Sequence, residues 1–140
     1  MQGVRVYFYY GPPGCGKTTA VCQRFGGNLA YSYDTTRHSH EQVNYNGQEV
    51  VILDNFGGSD AHSTFTPELL LSWCVGDRPC PRRLLVERKG RSPVTAAWNV
   101  VVIESNYSFE KLFNRWTLPG WDDTVKAALL SRLEGNMIEM

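Results

Sequence analysis

The stretch YYGPPGCGKTTA, residues 9–20, decides the fold. Three glycines and two prolines separate an aromatic, β-branched run at residues 4–10 from a Lys-Thr-Thr-Ala sequence that begins a helix. Glycines let a backbone turn sharply and approach a bound group without a Cβ clash. Residues 11–18 fit the pattern GxxxxGK[ST], in which loop amides and a helix N-terminus surround phosphate groups. The stretch therefore predicts a strand, a phosphate-binding loop and a helix at residues 17–25.

This loop carries most of the candidate nucleotide-binding residues. They are Gly11, Pro12, Pro13, Gly14, Cys15, Gly16, Lys17, Thr18 and Thr19. Lys17 is expected to reach the β and γ phosphates, and Thr18 to bind Mg²⁺ through its hydroxyl. A glycine-rich turn that only caps a helix is the alternative, and the flanking strand and helix favour the phosphate loop.

A second apolar run, EVVILD at residues 49–54, predicts a buried strand that ends in an acid. A phosphate loop needs a metal-positioning acid on a neighbouring strand, and Asp54 is the candidate, unless it only ends the strand. Asn55 stands where many P-loop ATPases carry a second acid, and an amide cannot accept a proton. We therefore expect slow hydrolysis, or the use of another acid such as Glu104 or Glu49.

The rest of the chain alternates strands and helices. We predict strands at residues 29–33 and 99–105, a hairpin at residues 84–95, and helices at residues 67–74, 110–116 (capped by Ser108) and 122–133. This alternation predicts an α/β fold with a mostly parallel sheet. A length of 140 residues favours a single domain, residues 1–140.

The charge balances to zero over the whole chain, but residues 75–91 hold six basic and two acidic residues. At the predicted hairpin tip, Lys89 lies between Arg88 and Arg91. Such a tip suits contact with a nucleic-acid backbone without base recognition, and a solvated loop is the alternative. Trp73 and Trp98 flank this region, and we expect them to pack in the core rather than stack on bases.

Several classes of function are disfavoured. The four cysteines show no CxxC spacing, so we expect no zinc site and an intracellular, reducing setting. We predict no membrane association, since no apolar run has membrane-spanning length. The pair His38 and His40 is separated by a serine and lacks a Tyr-x-x-Lys motif after it, so we assign no endonuclease activity to this chain.

Taken in order, the segments GPPGCGKTT, VVILDNFGG, VERKGRSP, VVVIESN and LLSRLE resemble the superfamily 3 helicase domain, an AAA+-like P-loop NTPase with a basic β-hairpin insertion. The likeness covers residues 4–134 and is closest to the replication-initiator Rep proteins of circular single-stranded DNA viruses of the circovirus type. It implies ATP and Mg²⁺ as cofactors. It also implies a fragment of a longer Rep protein that carries an endonuclease on a preceding domain.

The resemblance also implies roles for single residues. Lys17, Thr18 and Asp54 would hold the triphosphate and the metal. Asn106 would order water near the γ phosphate, and Lys89 would contact single-stranded DNA. Arg132 would act as an arginine finger on a neighbouring subunit's nucleotide, in a homo-oligomeric, hexameric ring that works in the host cell nucleus. The sequence departs from the family at Asn55, at Arg91 in place of a glycine, and at Glu104 in place of a small or apolar residue.

The residues themselves leave alternatives open. Asn106 follows a buried strand, where α/β sheets gather ligand groups, but it is equally typical of a turn. Arg132 falls in the apolar arc of its helix, so it needs a carboxylate, the last helix carbonyls or a phosphate as a partner. A small-molecule or nucleotide kinase, a non-hydrolysing nucleotide switch and an RNA-virus helicase of the picornavirus type remain as other functions.

Overall fold

The computed structural model describes residues 4–25, 30–34, 47–56, 73–74, 85–88, 91–95, 98–115 and 123–140. The strands in these ranges are β1 (Arg5–Tyr10), β2 (Ala30–Asp34), β3 (Val50–Phe56), β4 (Leu85–Arg88), β5 (Arg91–Thr95), β6 (Val100–Ser105) and β7 (Met137–Glu139). The helices are α1 (Lys17–Phe25), α2 (Phe109–Arg115) and α3 (Asp123–Leu133). Trp73 and Cys74 are also helical.

The main sheet is parallel and has five strands in the order β2-β3-β6-β1-β7. This arrangement confirms the predicted α/β fold with a mostly parallel sheet. The expectation that the acid-ended strand lies next to the strand before the phosphate loop is wrong, because β6 lies between β3 and β1. The carboxyl ends of all three strands still meet at one edge of the sheet, where parallel α/β folds bind ligands.

Strand β6 is buried along its whole length, as its apolar run predicts. Side chains alternate between the two faces of a strand. Val101 and Ile103 pack in one core cluster, while Val100 and Val102 pack in the other, on the face that holds Val21 of α1. Glu104 continues the second series, so the alternation places its carboxylate on the face that α1 covers.

Polar contacts as well as apolar packing hold helix α1 against β1. Val21 is fully buried, and the Arg24 guanidinium lies 4.7 Å from the Tyr7 ring centroid and donates a 3.0 Å hydrogen bond to the Tyr9 hydroxyl. This hydrogen bond is the main cause that raises the pKa of Arg24. The contacts fix the helix against the strand, and so hold the two ends of the intervening loop.

The two tryptophans belong to the core. Trp73 and Trp98 have their ring centroids 4.5 Å apart, and the Trp98 indole donates a 3.0 Å hydrogen bond to the Trp73 carbonyl. Both side chains are buried. The prediction of core packing is confirmed, and neither ring offers a surface for a base.

Most elements begin and end near the predicted residues. Helix α1 has the predicted bounds, β3 extends two residues further to Phe56, and Ser108 accepts a 3.4 Å hydrogen bond from the Lys111 amide as the cap of α2. Strand β7 was not predicted. It pairs in parallel with β1, and a 2.8 Å hydrogen bond from the Met140 amide to the Tyr10 carbonyl continues the pairing beyond its end.

The predicted hairpin is present as the antiparallel pair β4 and β5, in which Arg88 is the register partner of Arg91. Lys89 lies outside the described residues, as do His38, His40, Cys80 and all but the last two residues of the helix predicted at 67–74. Across the described ranges, every helix is too short or too polar to cross a bilayer.

Candidate nucleotide site

The loop between β1 and α1 has the backbone that its glycines predict. Gly14 and Gly16 have φ angles of 80° and 94°, a region that residues with a Cβ rarely adopt. The Cys15 amide donates a 3.3 Å hydrogen bond to the Pro12 carbonyl, which closes a tight turn. The loop thus leads directly into the N-terminus of α1, where backbone dipoles favour an anion.

The Lys17 side chain folds over this loop. Its ammonium group donates hydrogen bonds to the carbonyls of Gly11 at 2.9 Å and Pro12 at 3.0 Å. It donates a third to Asn106 Oδ1 at 3.1 Å. A positive charge and the positive end of a helix dipole therefore lie at the same loop, which is the electrostatic arrangement that a phosphate group requires.

Asn106 is held in place by the serine before it. The Ser105 hydroxyl is buried, donates a 2.7 Å hydrogen bond to the Phe56 carbonyl and accepts a 3.1 Å hydrogen bond from the Tyr107 amide. The Ser105 carbonyl in turn accepts a 3.2 Å hydrogen bond from the Gly11 amide. The ends of β3 and β6 and the start of the loop are thus joined through one residue.

An acid lies beside the predicted metal-binding threonine. The Thr18 hydroxyl donates a 3.0 Å hydrogen bond to Glu104 Oε1, and the Glu104 side chain is only 3% exposed. Burial raises the pKa of Glu104, and the nearby charge of Asp54 raises it further, whereas the Thr18 hydrogen bond and the charge of Lys17 lower it. Two carboxylates therefore share this part of the site with one ammonium group.

An irregularity in the sheet brings the two acids together. Asp54 and Asn55 lie between the register pairs Leu53–Ile103 and Phe56–Ser105, where β6 contributes Glu104 alone. Two residues of β3 thus face one residue of β6, which is the count of a β-bulge. Of the two substitute acids considered from the sequence, Glu104 lies in the site. Glu49 precedes β3, at the opposite edge of the sheet.

These residues fit a magnesium ion. Mg²⁺ prefers oxygen ligands, and the Thr18 hydroxyl and the carboxylates of Asp54 and Glu104 are all oxygen donors. Sequence reasoning named Glu104 as a possible substitute acid but not as part of the metal site. The sequence does contain a signal, since a charged residue directly follows the apolar run at residues 100–103.

Three predicted site residues lie on other elements of the fold, namely Arg132 on α3, Arg88 on β4 and Arg91 on β5. Arg132 is half-buried in the last turn of α3 and makes no hydrogen bond or ion pair with another described residue. Arg88 and Arg91 lie on the separate hairpin. Their predicted roles in catalysis and DNA contact stay predictions.

The sheet is parallel, a glycine loop joins β1 to α1, a lysine folds over that loop, and acids lie near the carboxyl ends of β3 and β6. These features define an α/β domain of the P-loop NTPase class. Comparison with protein families gives a more specific result. The family described as RNA helicase matches residues 7–106, from β1 through Asn106, and the chain belongs to this family. The match agrees with the superfamily 3 helicase resemblance and implies nucleotide-dependent helicase activity. A comparison with curated proteins gave no match.

Proposed function

We propose that this chain is a superfamily 3 ATPase domain that binds ATP with Mg²⁺ and couples hydrolysis to movement along single-stranded DNA. In this proposal it is part of a viral replication-initiator protein and acts as a ring, hexameric by family resemblance, in the host nucleus. The observation that carries the ATPase part is the hydrogen bond between Lys17 and Asn106. It joins the phosphate loop to the end of β6 in a single site.

Each side chain of the site has a task in hydrolysis. Lys17 binds the β and γ phosphates and is released from Asn106 when it does so. Asn106 is then free to orient the attacking water. Thr18 and Asp54 bind the metal ion. Mg²⁺, when bound, neutralises charge on the phosphate oxygens.

The site as described holds no arginine close to the phosphate loop, and we propose that Arg132 of a neighbouring subunit completes it. Arg132 makes no ion pair with another described residue, so no such pair would have to break before it reached a phosphate on the next protomer. An arginine supplied in trans stabilises the charge that develops on the transferred phosphoryl group.

The hairpin is the proposed contact with nucleic acid. Arg88 and Arg91 occupy directly paired positions at its end, with Lys89 next in the chain. Like charges at paired positions of a hairpin destabilise it. A phosphate backbone that lies between them would remove this repulsion, which supports a role in binding the strand rather than in folding.

A second candidate substrate is single-stranded RNA, because the matched family is described as RNA helicase. Phosphate contacts alone do not separate the two nucleic acids, whereas contacts to the 2′-hydroxyl would. Two further alternatives are a kinase that phosphorylates a small molecule, and a switch that binds ATP without hydrolysing it. Asn55 in place of a second acid favours the switch over a fast ATPase.

The deciding experiment measures ATP turnover by the wild-type chain without nucleic acid, with single-stranded DNA, and with RNA of the same sequence. We expect single-stranded DNA to stimulate ATP turnover. Stimulation by RNA alone would favour the second candidate. Phosphate transferred to an added nucleoside, with no effect of either strand, would indicate a kinase. ATP that is bound in the presence of Mg²⁺ but not cleaved in a single-turnover measurement would indicate a switch.

A further inference from the structure

The acid that accepts the hydrogen bond of the Thr18 hydroxyl lies on β6, the strand that leads into Asn106. Thr18 donates its hydrogen bond to Glu104 Oε1 at 3.0 Å. A threonine hydroxyl has a single proton and two lone pairs. Because the proton points at Glu104, the lone pairs are left for a cation. The contact thus orients Thr18 as a metal ligand.

Glu104 is buried, and a glutamate is rarely buried so deeply unless a partner offsets its charge. Its side chain is 3% exposed on the central strand, and an ionised carboxylate in such a place is costly unless it is paired. Among the described residues, Thr18 is the one hydrogen-bond donor to this carboxylate, and it occupies Oε1. No donor to the second oxygen, Oε2, is found among those same residues.

The chain also lacks the second acid that many P-loop ATPases carry directly after the first. Asn55 follows Asp54, and the bulge sets both residues against Glu104 across the β3 and β6 pair. A carboxylate from β6 therefore stands beside Asp54, on the strand next to the one where a second acid was expected. Burial raises the pKa of Glu104, and the charge of Asp54 raises it further, as a neighbouring negative charge does.

We propose that Glu104 supplies the second carboxylate of a divalent-cation site at Thr18. It does so by orienting the Thr18 hydroxyl and by adding its negative charge to that of Asp54. This inference rests on the proposed nucleotide site and names a residue that holds its metal. A divalent cation offsets the repulsion between the two carboxylates, and Lys17 is left to contact the phosphates.

The test measures binding of a fluorescent, non-hydrolysable ATP analogue while Mg²⁺ is titrated, and again in EDTA. Glu104→Gln keeps the shape and the acceptor oxygen but removes the charge. Glu49→Gln is the matched control, since Glu49 is exposed and lies at the far edge of the sheet. We expect Glu104→Gln to lower the apparent Mg²⁺ affinity by about 10- to 100-fold, as loss of a residue that positions a metal ligand does. Affinity in EDTA should not fall, and Glu49→Gln should match wild type.

A double variant tests whether Glu104 acts through Thr18. If it does, the combined variant will lose less Mg²⁺ affinity than the sum of the losses in Thr18→Ala and Glu104→Gln, because the orientation of Thr18 can be lost only once. Should Glu104→Gln fail to fold, Glu104→Asp serves in its place. It keeps the charge, withdraws the carboxylate from Thr18, and should lower Mg²⁺ affinity less than Thr18→Ala does.

Two results would overturn the inference while leaving the proposed function intact. One is a Mg²⁺ midpoint in Glu104→Gln within twofold of wild type. The other is wild-type analogue binding that does not depend on Mg²⁺. A different result, equal analogue binding by wild type and Lys17→Ala, would instead remove the proposed nucleotide site itself.

Discussion

Lys17 and Asn106 are 89 positions apart in the chain, yet Lys17 Nζ lies 3.1 Å from Asn106 Oδ1. The contact exists because β1 and β6 are parallel neighbours with Tyr10 and Ser105 in register, so the residues that follow both strands emerge side by side. The candidate nucleotide site therefore depends on this meeting of strand ends.

Substitutions of Lys17 and Asn106 should have different effects on ATP binding and on ATP turnover. We expect Lys17→Ala to abolish ATP turnover because the phosphates lose their main charge partner. Asn106→Ala should retain ATP binding but lose about 10²- to 10³-fold in kcat, as is common when one preorganised polar group is removed. Steady-state turnover and analogue binding measure the two effects separately. Asn99→Ala, an exposed asparagine just before β6, should behave as wild type, and equal turnover in the two asparagine variants would contradict the assignment.

Arg132→Ala should lower turnover by about 10³- to 10⁵-fold if Arg132 acts on a neighbouring nucleotide. Mixing Arg132→Ala with Lys17→Ala should then restore activity, since a Lys17→Ala subunit still offers its arginine to an intact loop. Wild-type activity should also rise more than linearly with protein concentration until rings are complete. Lys111→Ala, on the exposed surface of α2, is the control for loss of a positive charge. Inactive mixtures together with strictly linear activity would refute catalysis in trans.

Lys89→Ala should leave basal turnover near the wild-type value and remove most of the stimulation by single-stranded DNA. Replacing Arg88 and Arg91 with alanine should weaken binding to all DNA sequences alike. It should also reduce the salt dependence of the binding constant by about 0.7 for each phosphate group that the variant no longer binds. Fluorescence anisotropy with a labelled oligonucleotide over a series of salt concentrations measures this slope. An unchanged slope would place the DNA elsewhere on the protein.

Ser105→Ala should destabilise the protein by about 1–3 kcal/mol, because the buried Phe56 carbonyl loses its hydroxyl donor. Turnover should also fall, since Ser105 holds the turn that carries Asn106. Urea unfolding measures the first effect. Ser131→Ala, an exposed serine on α3, should stay within about 0.5 kcal/mol of wild type. Equal stability of the two variants would show that the Ser105 hydrogen bond contributes little.

The raised pKa of Glu104 predicts how stability depends on pH in metal-free buffer. The folded protein holds the Glu104 proton more tightly than the unfolded chain, whose pKa is near the ordinary value of 4.5. Unfolding therefore becomes easier as the pH rises from this value through the folded-state pKa. Glu104→Gln should remove this loss and be more stable than wild type at neutral pH, with the difference vanishing in acid. Parallel pH profiles in urea melts would contradict the prediction.

Local features of this protein follow from its sequence. The glycine spacing and the Lys-Thr pair specify the loop. Its positive φ angles, its cation and the helix N-terminus that follows it all depend on residues that are close together in the chain. The apolar runs at 50–53 and 100–103 likewise mark buried strands, since burial on both faces leaves no polar alternation.

The arrangement of these pieces was decided only by the tertiary structure. Apolar runs do not state the order of strands in a parallel sheet, so the position of β6 between β3 and β1 could not be derived. Strand β7 is three residues long and is a strand only because the edge of β1 accepts it. The contact between Thr18 and Glu104 depends on both the strand order and the bulge at Asp54. Such contacts depend on how the strands pair and cross over, and the composition of each strand does not encode that pairing.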